Sequence, residues 1–587
     1  VTLADPYRWL EDDESPETRR WIADQTAYAR SVLDPLPGRE SIRRRLQELA
    51  RVEERSVPVR RGGRLLYWSR RPGDELWSFR AREASGVERT LLDPHGLSPD
   101  RADSMAVEAI SGDGARLVFA IRRGGEDETE LRVLDIATGR ELGEVFPRGL
   151  YRGVTMTPDG RGFLYGLQDR AVGLRIRYHR VGSSPRKDRE VFGAGYGPKD
   201  WVSAAISANG RHAVYTVSHG WRSSDVFVQD LTSSVDFPSR PIVPVVQGVD
   251  ANFDAEYADD QLFILTDWNA PRKRVLAVAR PGQPRGEWRE IIPERGEPLR
   301  EMVLAGGRIV ASYLHDVTTT LVSFSLDGRD PKPIGVAPLG TAQNLRGRLQ
   351  EDDLYFSYES YTTPRSVLRA RVDTGAVEPW FVPQKPIDTR SWETQRLFFA
   401  SKDGTRIPLF VTSKRGLPRN GKRPTLLYGY GGFAVSRVPE FRDTAAWWIE
   451  QGGVYAVANI RGGGEYGEAW HKAGMLANKQ NVFDDFISAA EELVRLGYTS
   501  PLQLGIRGGS NGGLLVGAAL TQRPDLFRAV IANVPELDIV GYPRFANNNP
   551  PALLEYGDAS NPEQFPFVLG NRCVSQRPAL GGRPPSR

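Results

Sequence analysis

The residues with the clearest capacity for chemistry are Gly508, Gly509, Ser510, Asn511, Gly512 and Gly513. They stand between a short apolar stretch at residues 503–506 and an apolar run at residues 514–520, which read as a strand and a helix. A serine set between glycines in a strand-turn-helix context is the G-x-S-x-G elbow, whose sharp turn holds the hydroxyl exposed at a sheet edge as a nucleophile. Small flanking residues suit it because the strained turn brings backbone segments too close for side chains. A glycine-rich turn whose serine only caps the helix is the plainer alternative, and it does not account for glycine at both flanks.

Acyl transfer to a serine needs donors aimed at the developing oxyanion. The backbone N–H of Asn511, the residue after the nucleophile, is the first expected donor. The second is expected from the loop after an earlier strand, and the glycine-rich residues 428–433 follow the apolar residues 425–428 at that place. Residues 429–434 also fit a dinucleotide-binding G-x-G-x-x-A pattern, but residues 435–439 do not open the helix that would receive a pyrophosphate. The remaining requirement is a base, in the order serine, acid, histidine. The six histidines, His95, His179, His212, His219, His315 and His471, all precede Ser510, so the last 77 residues contain none.

The elements that must position these groups differ along the chain. Strand candidates at residues 425–428, 454–458 and 503–506 alternate with helices, which is α/β patterning. One helix carries Phe483, Phe486, Ile487, Ala490, Leu493 and Val494 on a face, with Asp484 and Asp485 in its first turn. Upstream, a turn signal followed by an apolar strand recurs, with strand starts at Leu65, Leu117, Phe163, Ala213, Leu262, Ile309 and Leu354, about 48 residues apart. Seven units, each with room for about four strands, predict a seven-bladed β-propeller, against the alternative of two β-sandwiches. Near the N-terminus Ser15 and Pro16 open a helix with Trp21, Tyr28 and Val32 on one stripe, and a second helix follows with Ile42, Leu46 and Leu49; both read as packing elements.

Composition narrows the function. The 78 basic and 74 acidic residues leave a net charge of +4, mixed along the chain, which argues against nucleic-acid binding. No apolar stretch is long enough to span a bilayer. The single cysteine, Cys573, excludes an internal disulfide framework or thiolate cluster. There is no Walker loop, H-E-x-x-H or metal-ligand cluster, so no cofactor is expected.

Four segments taken together, DPYRWLED (5–12), YGYGGF (428–433), the block at 458–486 and GGSNGGLL (508–515), closely resemble the prolyl oligopeptidase family of serine peptidases. The resemblance implies an α/β-hydrolase catalytic domain built from both ends of the chain, with the propeller inserted between them and limiting access to short peptides. It implies Ser510 as nucleophile, the Tyr430 phenol beside the Asn511 N–H in the oxyanion hole, and Phe433 as a wall of the pocket for the residue preceding the cleaved bond. The glycine-rich residues 461–467 match a family hallmark whose expected role is structural, and His471 is too early to be the base. Cleavage after proline is the family default, yet the position of a proline-stacking tryptophan corresponds to Ala552, which offers no such surface. Glu536 could face that pocket and favour a basic side chain, although a structural carboxylate is the plainer reading.

The resemblance fades after residues 556–567, before the points where the triad acid and histidine would stand; Asp525, Asp538 and Asp558 come too early. The expected organisation is helices at 1–62, propeller at 63–382, an α/β-hydrolase domain incomplete at its C-terminus at 383–568, and an unstructured tail at 569–587, from a truncated or frame-shifted end. Low activity and an unpaired sheet edge follow as expectations. The alternatives are a non-catalytic scaffold binding peptides or partners, and an esterase or acylaminoacyl hydrolase on the same fold. A monomer acting on short peptides, away from nucleic acid and membrane, is expected, in the cytoplasm, or the periplasm if a leader precedes the first residue.

Overall fold

The computed structural model describes residues 5–232, 240–544 and 550–571. Helix α1 (Pro16–Leu33) starts where the Ser15 hydroxyl oxygen accepts the Thr18 N–H at 3.2 Å, with proline at the first helical position. Its stripe is not packed: Trp21 is 42% and Tyr28 69% exposed, and Thr18 is the one buried residue of the helix. The spacing shows which face is apolar, not whether a partner covers it. Helix α2 (Arg39–Ala50) is anchored, with Leu49 fully buried and Arg45 paired to Glu450 at 2.6 Å across 405 residues of sequence.

Seven antiparallel sheets follow at residues 54–92, 104–145, 150–192, 201–246, 253–292, 299–334 and 340–381, confirming the propeller over the pair of sandwiches. The seven expected strand starts fall within Arg64–Arg70, Arg116–Arg122, Gly162–Asp169, His212–His219, Gln261–Thr266, Arg308–His315 and Glu351–Ser360, the same strand of successive blades. The turn that made the repeat visible has one design. In blades 2–4 the hydroxyls of Ser111, Thr157 and Ser207 donate to Asp113, Asp159 and Asn209 at 2.5, 2.7 and 2.7 Å. Gly114, Gly160 and Gly210 then take φ of 70°, 65° and 73°, where a side chain would be strained. Apolar clusters fill the spaces between neighbouring blades. Between blades 7 and 1 the contacts include Tyr67 edge-on to Trp380 at 5.1 Å and Arg60 paired with Asp353 at 3.0 Å; each blade uses only its own consecutive strands. Blade 1 starts at Glu54, upstream of residue 63, with two strands of two and three residues that carry no periodicity.

The remaining sheet has six strands: β1 (Trp392–Ala400), β2 (Arg406–Lys414), β3 (Thr425–Tyr428), β4 (Val454–Ala458), β5 (Leu504–Gly509) and β6 (Ala529–Asn533). Their order is β1-β2-β4-β3-β5-β6, with β4, β3, β5 and β6 mutually parallel. Helices α3 (Asp443–Glu450), α4 (Lys479–Arg495), α5 (Asn511–Gln522) and α6 (Pro550–Tyr556) accompany it. Its core joins Leu427, Ala456, Phe486, Leu504, Ile506 and Leu515. This is the α/β-hydrolase arrangement, with the nucleophile candidate at the carboxyl end of β5. A last helix, Phe565–Gly570, runs past residue 568, whereas residues 572–587 of the expected tail, with Cys573, lie outside the described residues. No described helix is long and apolar enough to cross a membrane.

Strand β6 pairs with β5 on one side, and no described strand covers its other side. Ile531 is 47% and the following Val534 81% exposed. An apolar open edge templates association between copies. Ile531→Lys is therefore expected to lower whatever self-association this chain shows in size-exclusion chromatography, and an unchanged profile would show that this edge does not drive it.

Candidate active site

Ser510 sits at the N-cap of α5 with φ 56° and ψ −123°, a region costly for a residue with a side chain. The flanking glycines explain how this is held. A Cβ on Gly508 would lie 1.9 Å from the Gly512 carbonyl oxygen, and one on Gly513 would lie 2.6 Å from Pro535 Cα. The Ser510 N–H donates to Asn533 O at 3.0 Å, tying the elbow to the end of β6. The Asn511 N–H belongs to the first turn of α5, whose amides have no partner within the helix.

The loop after β3 comes to the same place. Tyr430 is half-buried, and burial raises its phenol pKa, offset in part by interaction with the Ser510 side chain and then by Arg437. The Arg437 guanidinium lies 4.1 Å from the centre of the Tyr430 ring. The Asn511 side chain binds the loop, its Nδ2 donating to Tyr430 O at 2.6 Å, so that a Cβ on Gly432 would meet that amide at 2.6 Å. The loop's other neighbour is the 461–467 segment: Ala434 N–H donates to Gly462 O at 3.1 Å, and a Cβ on Gly462 would meet Gly431 O at 2.6 Å. Two glycine-rich loops thus pack backbone against backbone. Arg461 anchors the second through buried contacts with Asp485 at 2.6 and 2.9 Å.

Sequence reasoning missed Tyr556. Its hydroxyl lies 3.1 Å from Asn511 Oδ1 and makes a short hydrogen bond to Glu536, and its ring meets Phe433 edge-on at 5.5 Å. The other oxygen of Glu536 is 3.4 Å from Ser510 Oγ, close to the limit of a hydrogen bond. The structure therefore gathers Ser510, Asn511, Tyr430, Phe433 and Glu536 around one point. Ala552 has its methyl fully buried in the hydrophobic core, in the same cluster as Tyr556. Asp525 pairs with Arg523, Asp558 caps Ser560, and Asp538 binds the Gly541 N–H.

Beneath the pocket wall lies a buried charge cluster. Lys479 Nζ donates to Gly431 O at 3.0 Å and pairs with Glu555 at 3.2 Å, while His471 Nε2 lies 2.8 Å from the second Glu555 oxygen. Burial would raise the Glu555 pKa, but Lys479 and His471 hold it below the ordinary carboxylate range. Burial likewise works against the His471 cation, yet hydrogen bonds to Glu468 and Glu555 push its pKa up to about 9. Because this exceeds the unfolded value of about 6.5, the charged His471 stabilises the fold below pH 6.5, and that contribution is lost as pH rises toward 9. The unfolding midpoint is expected to fall across that window and to fall less in His471→Gln; equal slopes for the two proteins would sink the assignment. Held this way, His471 is spoken for, and no histidine among the described residues bonds to Ser510.

Residues 1–383 match the family described as prolyl oligopeptidase, N-terminal β-propeller domain, and residues 439–567 match the prolyl oligopeptidase family. The prolyl endopeptidase of Elizabethkingia meningoseptica is 32% identical over 96% of this chain and 80% of its own. A structure from a mechanistic study of two prolyl endopeptidases superposes with a TM-score of 0.91 and 39% identity, covering 98% of this chain and 85% of the other. Prolyl oligopeptidase B from Galerina marginata, bound to a 35-residue hydrolysis and macrocyclization substrate, gives 0.90 at 25% identity, over 98% and 84% of the two chains.

Proposed function

The chain belongs to the prolyl oligopeptidase family of serine peptidases, and on that premise we propose that Ser510 is the nucleophile of an acyl-transfer site for short peptides. The observation that carries this reading is the strained backbone that sets Ser510 at the N-terminus of α5, with the Tyr430 loop bound to the adjoining Asn511 side chain. Ser510 Oγ attacks the substrate carbonyl carbon, and the oxygen that becomes negative is received by the Asn511 N–H and the Tyr430 hydroxyl. Phe433 walls the pocket for the residue before the cleaved bond. The Ser510 proton must leave as the bond forms, and among the described residues Glu536 is the carboxylate in reach, at 3.4 Å. A carboxylate is a weak base near neutral pH, so little of the Ser510 proton is taken up and little is then available for the leaving nitrogen; amides are therefore expected to react far more slowly than activated esters, whose leaving group needs no proton.

The test is a p-nitrophenyl ester of an N-blocked Gly-Pro, whose leaving group departs as an anion without a proton. One equivalent of p-nitrophenolate per chain and a matching mass increase on Ser510 are expected, with both absent in Ser510→Ala. Acylation that persists in the variant overturns the reading. A second reading of specificity rests on Glu536: a carboxylate this close to Ser510 favours a cationic side chain before the cleaved bond, and Ala552 supplies no ring for proline. Faster acylation by a Gly-Arg ester than by the Gly-Pro ester, reversed in Glu536→Gln, would support it over the family default.

A further inference from the structure

An open recess of about 360 Å³ lies between propeller residues and the loops beside the pocket wall. Trp221, from a turn of blade 4, meets Phe433 edge-on at 5.9 Å, and Phe433 in turn meets Tyr556, which bonds Glu536 beside Ser510. One side of the recess is thus the apolar wall of the Ser510 site.

The other side is cationic. Arg272 and Lys273 come from a turn of blade 5 and Arg300 from the first strand of blade 6. Among the described residues none of the three forms an ion pair, and Arg300 makes one hydrogen bond, to Ser436 Oγ at 2.9 Å. The acids of the recess are already engaged: Asp267 accepts the Asn252 N–H at 2.6 Å and its Nδ2 at 2.9 Å, and Glu468 faces His471 and Lys472. Burial lowers the pKa values of Lys273 and Arg300, against the attraction of Asp267, Asp254 and Glu468 for the first and of Glu465 and Glu301 for the second. Arg272 and Arg300 are exposed and Lys273 is half-buried, so their charges face the opening of the recess without an ion-pair partner among the described residues, where a ligand of opposite charge would meet them.

We propose that Arg272, Lys273 and Arg300 form a subsite for a carboxylate of the peptide whose acyl carbon reaches Ser510, either an acidic side chain or a free C-terminus. This rests on the peptide-directed reading of the site and adds a charge preference to it.

The test is fluorescence anisotropy with the full Ser510→Ala chain and three labelled octapeptides of one sequence: glutamate-containing and C-terminally amidated, glutamine-containing and amidated, and glutamine-containing with a free C-terminus. At least one carboxylate peptide is expected to bind about tenfold more tightly than the neutral one at low ionic strength. Which one does so identifies the source. The advantage is expected to shrink to about twofold in 0.5 M salt and to vanish in Lys273→Gln/Arg300→Gln; the salt series needs no variant to fold. Equal affinity for all three peptides overturns the subsite and leaves the peptide reading intact. Binding of none overturns both, and a preference that survives the double variant overturns the assignment to these residues.

Discussion

Hydrolysis of a fluorogenic Gly-Pro amide by these 587 residues is expected to run roughly 10⁴- to 10⁶-fold below a site with a serine, an imidazole and an acid, and Ser510→Ala to cost no more than about tenfold of it. Two proton transfers set this expectation. Attack needs the Ser510 proton removed, and collapse of the tetrahedral intermediate needs a proton delivered to the leaving nitrogen. Glu536 is placed for the first at 3.4 Å but is also held by Tyr556, and His471 is confined between Glu468 and Glu555. What remains is binding and oxyanion stabilisation, which do not require the serine to be ionised. Parallel rates for the chain and Ser510→Ala check this. A large Ser510-dependent rate would defeat it, and its loss in Glu536→Gln would then name the acceptor.

Gly508→Ala is expected to destabilise the catalytic domain by about 3 kcal/mol or more, lowering its unfolding midpoint by roughly 6–12 °C. The added methyl would meet the Gly512 carbonyl oxygen at 1.9 Å, and that oxygen is backbone of α5 packed in the core, so the helix and Ser510 must move together. Gly505→Ala in the same strand is the control. Its nearest neighbours would lie 3.8 Å away, so a change under about 1 kcal/mol is expected there. Equal midpoints for the two variants in thermal unfolding would show that the elbow is softer than its geometry implies.

What could be read from the sequence was local. The blades were legible because one turn, a hydroxyl bonding an Asp or Asn two residues on with glycine next, repeats before one apolar strand. The elbow was legible because strand, glycines, serine and helix are contiguous. The Lys479–Glu555–His471 cluster was not: its members lie 76 and 84 residues apart, and each alone looks like a surface charge on a helix. Tyr556 reaches Asn511 across 45 residues for the same reason. The face of α1 is the opposite case, a clear pattern left mostly exposed, with Trp21 meeting Trp9 edge-on at 6.2 Å.

The pairing of Arg45 with Glu450, together with Lys385 bonding Leu49 O at 2.8 Å, bears on how the molecule is made. On a ribosome adding about 5–20 residues per second, the 405 residues between Arg45 and Glu450 take roughly 20–80 s to appear. Throughout that time the propeller can assemble from neighbouring strands, while α2 waits with Leu49 uncovered. The catalytic domain is therefore the last part to form, and a nascent chain halted before residue 450 would carry a finished propeller and an unmatched apolar helix for chaperones to hold.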